Sequence, residues 1–394
     1  MAFVPLSPSR PVLSAGLSAL LIGSLALSGC SSPHKAVKKE GSANAATAKP
    51  AAAPFTATGI PADLASAIKP LYLGGAVPSS PSALTALGQR ILAINLAPVV
   101  VKGSVATWKG VPIAVVTRGK DVTLAVKAPT WKVVGGWWPS LGVGAPSLGG
   151  APRRLLMIGS DARPGQPVAR SNADSLHIVG LDGHGGGGVL GIARDSYVRL
   201  PTGRKGKINS ALAIGGPGAM QRTVVSTTGV PVEGYMLTGF KGFKKLINGI
   251  GGLTVQAPAA VKDPGSGANV KKGVNDLSGV QALAYGRARH GVAGGDFGRS
   301  ANQGLLIMAV AGFTRAAGPT RLPGILNHAG SSIDTNLSAE QVLTFVAGVY
   351  ITQPGKVHNR VATGGFGTTS DGQSIVLLDA AARRLFADIR NGNL

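Results

Sequence analysis

The stretch "RARHGVAGGDFGRSANQ", residues 287–303, gathers Arg287, Arg289, His290 and Arg299 around one acid, Asp296, in a chain where only 14% of residues are charged. Guanidinium groups at such density suit a dense anion: each supplies a planar pair of donors and none can lose its charge. The competing reading is a basic face turned to solvent. Asp161, in "GSDAR" at the end of an apolar run, and Asp174, in "NADS", offer the complementary chemistry, hard carboxylate oxygens of the kind that bind Mg²⁺. Each also has a plainer reading, as a turn-capping residue. Gln303, Asn209 in "KINS" and Arg163 are further polar candidates. His290 has no second His or Cys at ligand spacing and reads as a hydrogen-bonding neighbour.

Those side chains need a scaffold, and its parts are legible. "RRLLMIGS" reads as a short strand leading into Asp161. "DSLHIVGLDGHGGGGVLGIARDSYVRL" reads as two strands joined by a glycine turn; its Gly185–Gly188 run lacks the Gly-Lys-Ser/Thr ending of a phosphate-binding loop. "LSGVQALAYGRARH" opens with a capping box, Ser278 to Gln281, on a short helix. The chain is then expected to become extended, so that Arg287 and Arg289 point to one face. The glycines of "HGVAGGDFG" let it fold back to Arg299, and "SANQGLLIMAVAGF" has helical spacing.

Length, charge and termini bound the rest. The 394 residues, 44% hydrophobic with 59 Gly and 26 Pro, describe a globular, loop-rich protein. A formal charge of +23 predicts attraction to polyanions. Residues 1–29 have the build of an export signal: Arg10, then an apolar run from Val12 to Leu27, ending at Ser28 and Gly29. Cys30 is the only cysteine, and Leu27-Ser28-Gly29-Cys30 resembles a bacterial lipobox, making Cys30 the expected lipidation site. The protein is therefore expected on the outer face of the cytoplasmic membrane, where nucleic acid is not an expected partner. Residues 30–55 read as a flexible tether. Residues 56–150 read as a small Trp-rich accessory domain: a helix over 80–97 capped by Ser80 or Ser82, and a hairpin turning at Gly119-Lys120-Asp121. Trp108, Trp131, Trp137 and Trp138 are read there as packing residues rather than a sugar or membrane surface. The composition of 142–154 marks a linker, placing the main domain at 151–394.

From about 153 to 315 the chain resembles the LytR-CpsA-Psr family of bacterial envelope proteins. The resemblance rests on seven blocks in family order: "LLMIGSDAR", "NADSLHIV", "GIARDSYVRLP", "KINSALAIGGPGAM", "INGIGGLTV", "LSGVQALAYGRARH" and "DFGRSANQ". It implies an α/β fold, a three-layer α-β-α arrangement with a central mixed sheet and an apolar lipid-binding groove. It implies an extracytoplasmic phosphotransferase that moves a glycopolymer from a polyprenyl-pyrophosphate carrier to the muramic-acid 6-hydroxyl of peptidoglycan. Carried over by motif, Asp161, Arg194, Arg289 and Arg299 are the expected catalytic residues, and Arg287 and Gln303, with Arg163 and Asn209, the expected pyrophosphate ligands. Asp161 and Asp174 would hold Mg²⁺ (or Mn²⁺). Asn302 stands where the family has an arginine, Ala193 where it often has proline, and Asn172 where many relatives have arginine, with Arg170 displaced. A lipid anchor in place of a membrane helix is a further departure. Two other readings stay open: a non-catalytic wall- or polyprenyl-phosphate-binding lipoprotein, and a transcriptional attenuator, which the export signal disfavours.

Overall fold

The protein is described by a computed structural model, which covers residues 54–81 and 98–394, with Ala83 and Leu87 between them. The expected signal peptide, Cys30, nearly all of the tether and most of the expected 80–97 helix, Ser82 included, lie outside the described residues. Ser80 does accept a bond from the Ala83 N–H at 3.5 Å, as a cap would.

The N-terminal part is a sheet of five strands: β1 (Phe55–Thr58), β2 (Val99–Trp108), β3 (Val111–Arg118), β4 (Asp121–Lys127) and β5 (Trp131–Trp137), in that spatial order. The turn expected at Gly119-Lys120 joins β3 to β4. The expected single hairpin is a four-strand antiparallel meander, because Lys109-Gly110 and the "APT" segment at 128–130 add two further turns, and β1 joins its edge in parallel. Helix α1 (Ala62–Leu73) covers one face, burying Leu64, Ile68 and Leu71 against Val101, Val116 and Trp131. Trp108, Trp131 and Trp138 are buried and Trp137 half-buried, so these rings are packing residues, as expected.

The central sheet follows from alternation in "RRLLMIGS". On β6 (Arg153–Ser160), Leu156 and Ile158 face one core while Leu155 and Met157 face another. β7 (Ala173–Leu181), β8 (Gly187–Ile192), the two-stranded β9 (Tyr197–Arg199) and β10 (Lys205–Lys207), helix α2 (Ser210–Thr228), β11 (Tyr235–Gly239) and helix α3 (Phe240–Gly249) come next. An excursion of β12 (Leu253–Ala257), β13 (Val261–Asp263), β14 (Ala268–Val270) and β15 (Gly273–Leu277) leads into α4 (Gly279–Arg287) and the long α5 (Asp296–Ala317). Then come α6 (Leu322–Gly330), β16 (Asp334–Thr335), α7 (Ala339–Ala347), β17 (Val357–Ala362), the hairpin β18 (Gly364–Thr368) and β19 (Ser374–Leu378), and α8 (Ala380–Asp388). The mixed six-stranded sheet runs β16-β11-β6-β7-β8-β17. Helices α2 and α8 cover one face and α5, α6 and α7 the other, giving the expected three layers.

The boundary expected near 150 is a compositional one only. Residues 52–394 form one compact unit. The physical reason is shared core: α6 and α7 bury Leu322, Leu326 and Leu343 against Ile113, Val115 and Leu124 of the first sheet, and the same cluster includes Leu155 and Met236 of the second. Buried Arg153 strengthens the seam, bonding Glu233 through two nitrogens (2.9 and 2.6 Å), the Leu148 carbonyl (2.6 Å) and Thr344 (2.9 Å).

Candidate active site at the mouth of an apolar cavity

The first turn of α5 is where the charged side chains meet. Gly294 (φ 77°) and Gly295 (φ 55°) turn the loop into that helix through backbone angles that suit glycine. Asp296 then stands in the first turn, where a carboxylate is favoured by the helix dipole. Its Oδ1 lies 2.9 Å from the Arg299 guanidinium and 3.7 Å from those of Arg194 and Arg289. Arg194, in the turn after β8, also pairs with Asp174 of β7 and, at 3.7 Å, with Asp195. Lys207 holds Asp195 from the other side at 3.0 Å.

The cluster is thus better balanced than residues 287–303 alone suggest, because two of its carboxylates arrive from other parts of the chain. Burial works to lower the Arg194 guanidinium, but Asp174, Asp296 and Asp195 together hold it above its ordinary value. Arg299 is only 4% exposed, and there burial wins over Asp296, lowering its pKa. Among the described residues Arg194 Nε, Arg299 Nε, Asp296 Oδ2 and Asn302 Nδ2 are buried without a hydrogen-bond partner, whereas Asp296 Oδ1 is engaged by Arg299. Buried polar groups usually find partners, so this unused capacity marks a site built for a polar ligand.

Asp161 follows β6 directly, its N–H donating to the Asn172 carbonyl at 2.9 Å. Burial, then the like charge of Asp174, raises its carboxyl above the usual range. A carboxyl raised by burial and a like-charged neighbour is a donor whose charged form a divalent cation would favour. Among the described residues no group of three or more His, Cys, Asp or Glu converges on a metal position. Asp161 and Asp174 are the two carboxylates that could hold a divalent cation here, its remaining positions being left to other oxygen ligands.

Several expectations are corrected by the geometry. Arg287 and Arg289 do not share a strand: the helix begun by the Ser278–Gln281 capping box continues through Arg287, and Arg289 lies in the loop beyond. Arg287 instead stacks over the Phe240 ring, 4.9 Å from its centroid. Arg289 is held through its backbone: Asp263 accepts its N–H at 2.9 Å, and bonds the His290 N–H and ring at 3.3 Å each. These bonds hold the Asp263 carboxyl well below the usual range, the Arg289 N–H contributing most. His290 is the hydrogen-bonding neighbour expected. The Gln303 amide nitrogen donates to the Gly286 carbonyl (2.9 Å) and the Asp174 carbonyl (3.4 Å), tying α4 to β7. Asn209 acts through its backbone, its N–H donating to the Arg194 carbonyl and its C=O accepting from Ala173, both at 3.1 Å. Arg163 is exposed, yet near enough to lower Asp161 slightly against the other effects.

From this mouth a cavity of about 410 Å³ opens under α5. Ser160, Asp174, Arg287 and Gln303 line its polar end, and α5 walls it from Gln303 to Arg315, about 18 Å of helix. Met157 and Val179 of the sheet, Phe240, Phe243 and Leu246 of α3, Leu283 of α4, Leu326 of α6 and Phe345 of α7 complete an apolar lining. Trp108 reaches it from the first sheet. The phenylalanines of "FKGFKKLI" recur at helical spacing with lysines on the other side, a signal that marks a packed helix but not a cavity wall.

A feature that motif reasoning missed lies beneath the mouth. His177 of β7 is fully buried, with Nε2 2.9 Å from the Ser300 carbonyl and Nδ1 3.1 Å from the Ser175 hydroxyl. The carbonyl only accepts, so Nε2 carries the proton and Ser175 donates to Nδ1. Gly191 permits this packing, since a Cβ there would stand 2.3 Å from Ser300 Oγ. Burial pushes the imidazole pKa down to about 4. The unfolded chain binds this proton from near its ordinary value downward, whereas the folded protein refuses it. Stability is therefore fully present above about pH 6.5 and falls toward pH 4, by about 3 kcal/mol in all. Urea unfolding from pH 7 to 4.5 should show that loss, and His177→Gln should flatten it; an unchanged slope would contradict the assignment.

Comparisons with known proteins agree on one family. Residues 146–386 match the model of the LytR_cpsA_psr family. The chain is 33% identical over 198 residues to the polyisoprenyl-teichoic acid–peptidoglycan teichoic acid transferase TagV of Bacillus subtilis, covering 47% of this chain and 50% of that protein. It is 31% identical over 196 residues to the corresponding transferase TagU of Bacillus anthracis, covering 48% and 62%. It spans about half to three fifths of the length of these curated relatives. The crystal structure of B. subtilis TagV superposes with a TM-score of 0.52 at 28% identity, covering 62% of this chain and 98% of that one.

Proposed function

Because the chain belongs to the LytR-CpsA-Psr family, we propose that it is an extracytoplasmic phosphotransferase moving a glycopolymer from a polyprenyl-pyrophosphate carrier onto the muramic-acid 6-hydroxyl of peptidoglycan. The observation that carries this reading is the junction of a buried arginine–aspartate cluster with an apolar cavity walled by about 18 Å of helix. A polyprenyl pyrophosphate has the same two halves, a compact anion and a long apolar tail.

The geometry supports a role for each residue of the cluster. Arg299 and Arg194, with unused buried donors, would take phosphoryl oxygens and stabilise the charge that develops on transfer. Arg287, over Phe240 at the cavity mouth, would meet the phosphate nearest the lipid. Gln303 and the Asn209 backbone position Asp174 and Arg194. Asp161 and Asp174 would hold Mg²⁺ (or Mn²⁺), whose charge would offset that of the pyrophosphate. A cation matters here because Asp174, Asp195 and Asp296 already neutralise the guanidiniums. The test is mass spectrometry of lipid co-purifying with the protein, followed by incubation with lipid-linked glycan and peptidoglycan fragments. A bound polyprenyl phosphate or pyrophosphate and a phosphodiester-linked product are expected. Absence of prenyl-phosphate binding would remove the reading.

A second reading has one observation in its favour: Asn302, with a buried amide nitrogen lacking a partner, stands where the family resemblance expects an arginine. A non-catalytic lipoprotein would bind the lipid in that assay and form no product.

The proposal places the enzyme at the outer face of the cytoplasmic membrane, anchored through a lipid on Cys30. Among the described residues no helix is long and apolar enough to cross a membrane. Cys30→Ser should abolish labelling by a fatty-acid probe, since the chain has no other cysteine; undiminished labelling would refute the anchor.

A further inference from the structure

The charged cluster has two neighbours along α5, and the cavity is only one of them. Helix geometry sets the order: Phe297 first, then Arg299, then Gln303, where the cavity wall begins. Phe297 precedes Gln303 by six residues, about 9 Å. Its ring packs against that of Phe366 on β18, with centroids 5.7 Å apart and planes tilted by 39°. Neither ring lines the cavity. Phe366 is 73% exposed, more than any other large apolar side chain among the described residues, and its cross-strand neighbour on β19, Val376, is buried. The hairpin is fixed next to the cluster, because the Val376 N–H donates to the Asp195 carbonyl at 2.9 Å. A lone exposed apolar residue means little; an aromatic pair one residue from Asp296, on a hairpin bonded to the turn that carries Arg194, is a placed surface.

We propose that Phe366, backed by Phe297, is a stacking shelf for a sugar ring of the acceptor glycan. This rests on the transferase reading. In phosphoryl transfer the attacking and leaving oxygens stand roughly in line on opposite sides of phosphorus. With polyprenyl phosphate departing on the Gln303 side, the attacking hydroxyl approaches from the Phe297 side. A pyranose has an apolar C–H face and a hydroxyl rim, a shape that lies flat on an exposed aromatic ring. Arg289, half-exposed and 3.7 Å from Asp296, supplies a cation for the carboxylate of a muramic acid seated there.

The experiment compares the parent protein with Phe366→Ala and Phe366→Trp. Saturation-transfer NMR and titration would use a soluble β-1,4-linked N-acetylglucosamine–N-acetylmuramic acid tetrasaccharide, with farnesyl phosphate binding measured in parallel. The alanine variant is expected to bind the tetrasaccharide about tenfold more weakly, to bind farnesyl phosphate as the parent does, and to raise KM for acceptor more than it lowers kcat. Tryptophan should restore binding. Tetrasaccharide binding that is absent in the parent, or equal in parent and alanine variant, overturns the shelf; a melting-temperature loss without a binding loss would show that the pair only packs the hairpin. Failure of farnesyl phosphate to bind the parent would instead strike the transferase reading, and the tetrasaccharide result would still decide the shelf.

Discussion

Arg299→Lys is expected to slow glycan transfer to peptidoglycan by about 10²–10³-fold, nearly as much as Arg299→Ala. Arg299 is almost wholly buried and its guanidinium contacts Asp296 at 2.9 Å. Lysine keeps a charge but replaces a planar fork of donors with one ammonium, and a buried ammonium sheds its proton far more readily than a guanidinium. Arg289 makes the contrast. Sequence spacing alone gives it the same desolvated setting, yet its side chain is 53% exposed and its ion contact is at 3.7 Å, so Arg289→Lys should cost less than about tenfold. Rates should be read beside thermal unfolding. Transfer at the parent rate by a folded Arg299→Lys protein would return the cluster to a structural role.

The second large effect concerns Asp174. Asp174→Asn preserves shape and removes charge, and should weaken Mg²⁺ binding by at least about tenfold and transfer by about 10²-fold. Asp174 is also a structural partner, partly buried against Arg194. Some stability should go with it, about 1–3 kcal/mol, limited by the Asp195 and Asp296 carboxylates that Arg194 retains at 3.7 Å. Calorimetric titration with Mg²⁺ separates the two roles. A destabilised variant with parent-like Mg²⁺ affinity would make Asp174 the partner of Arg194 and nothing more.

Local chemistry was readable wherever a few adjacent residues decide the outcome. The Ser278–Gln281 capping box forms as expected, the β3–β4 turn falls at Gly119-Lys120, and "RRLLMIGS" is a strand delivering Asp161. The ordered blocks identified the family, and the family match over residues 146–386 bears this out. The extended reading of "RARH" failed because the same capping box that was recognised carries its helix through Arg287 before the chain breaks.

What the tertiary structure alone decided is partnership across long chain separations. Asp263 holds the backbone of Arg289 and His290 from a different hairpin. Asp174 and Asp296 meet Arg194 from separate segments of the chain, whereas the local sequence of Arg194 shows only Asp195. The apparent linker at 142–154 separates no domains, because α6 and α7 bury apolar faces of both sheets. The physical reason is common to all three: periodicity and capping are short-range and set each element's type and ends, whereas a site's charge balance and a core's extent are sums over residues that meet only when distant elements pack.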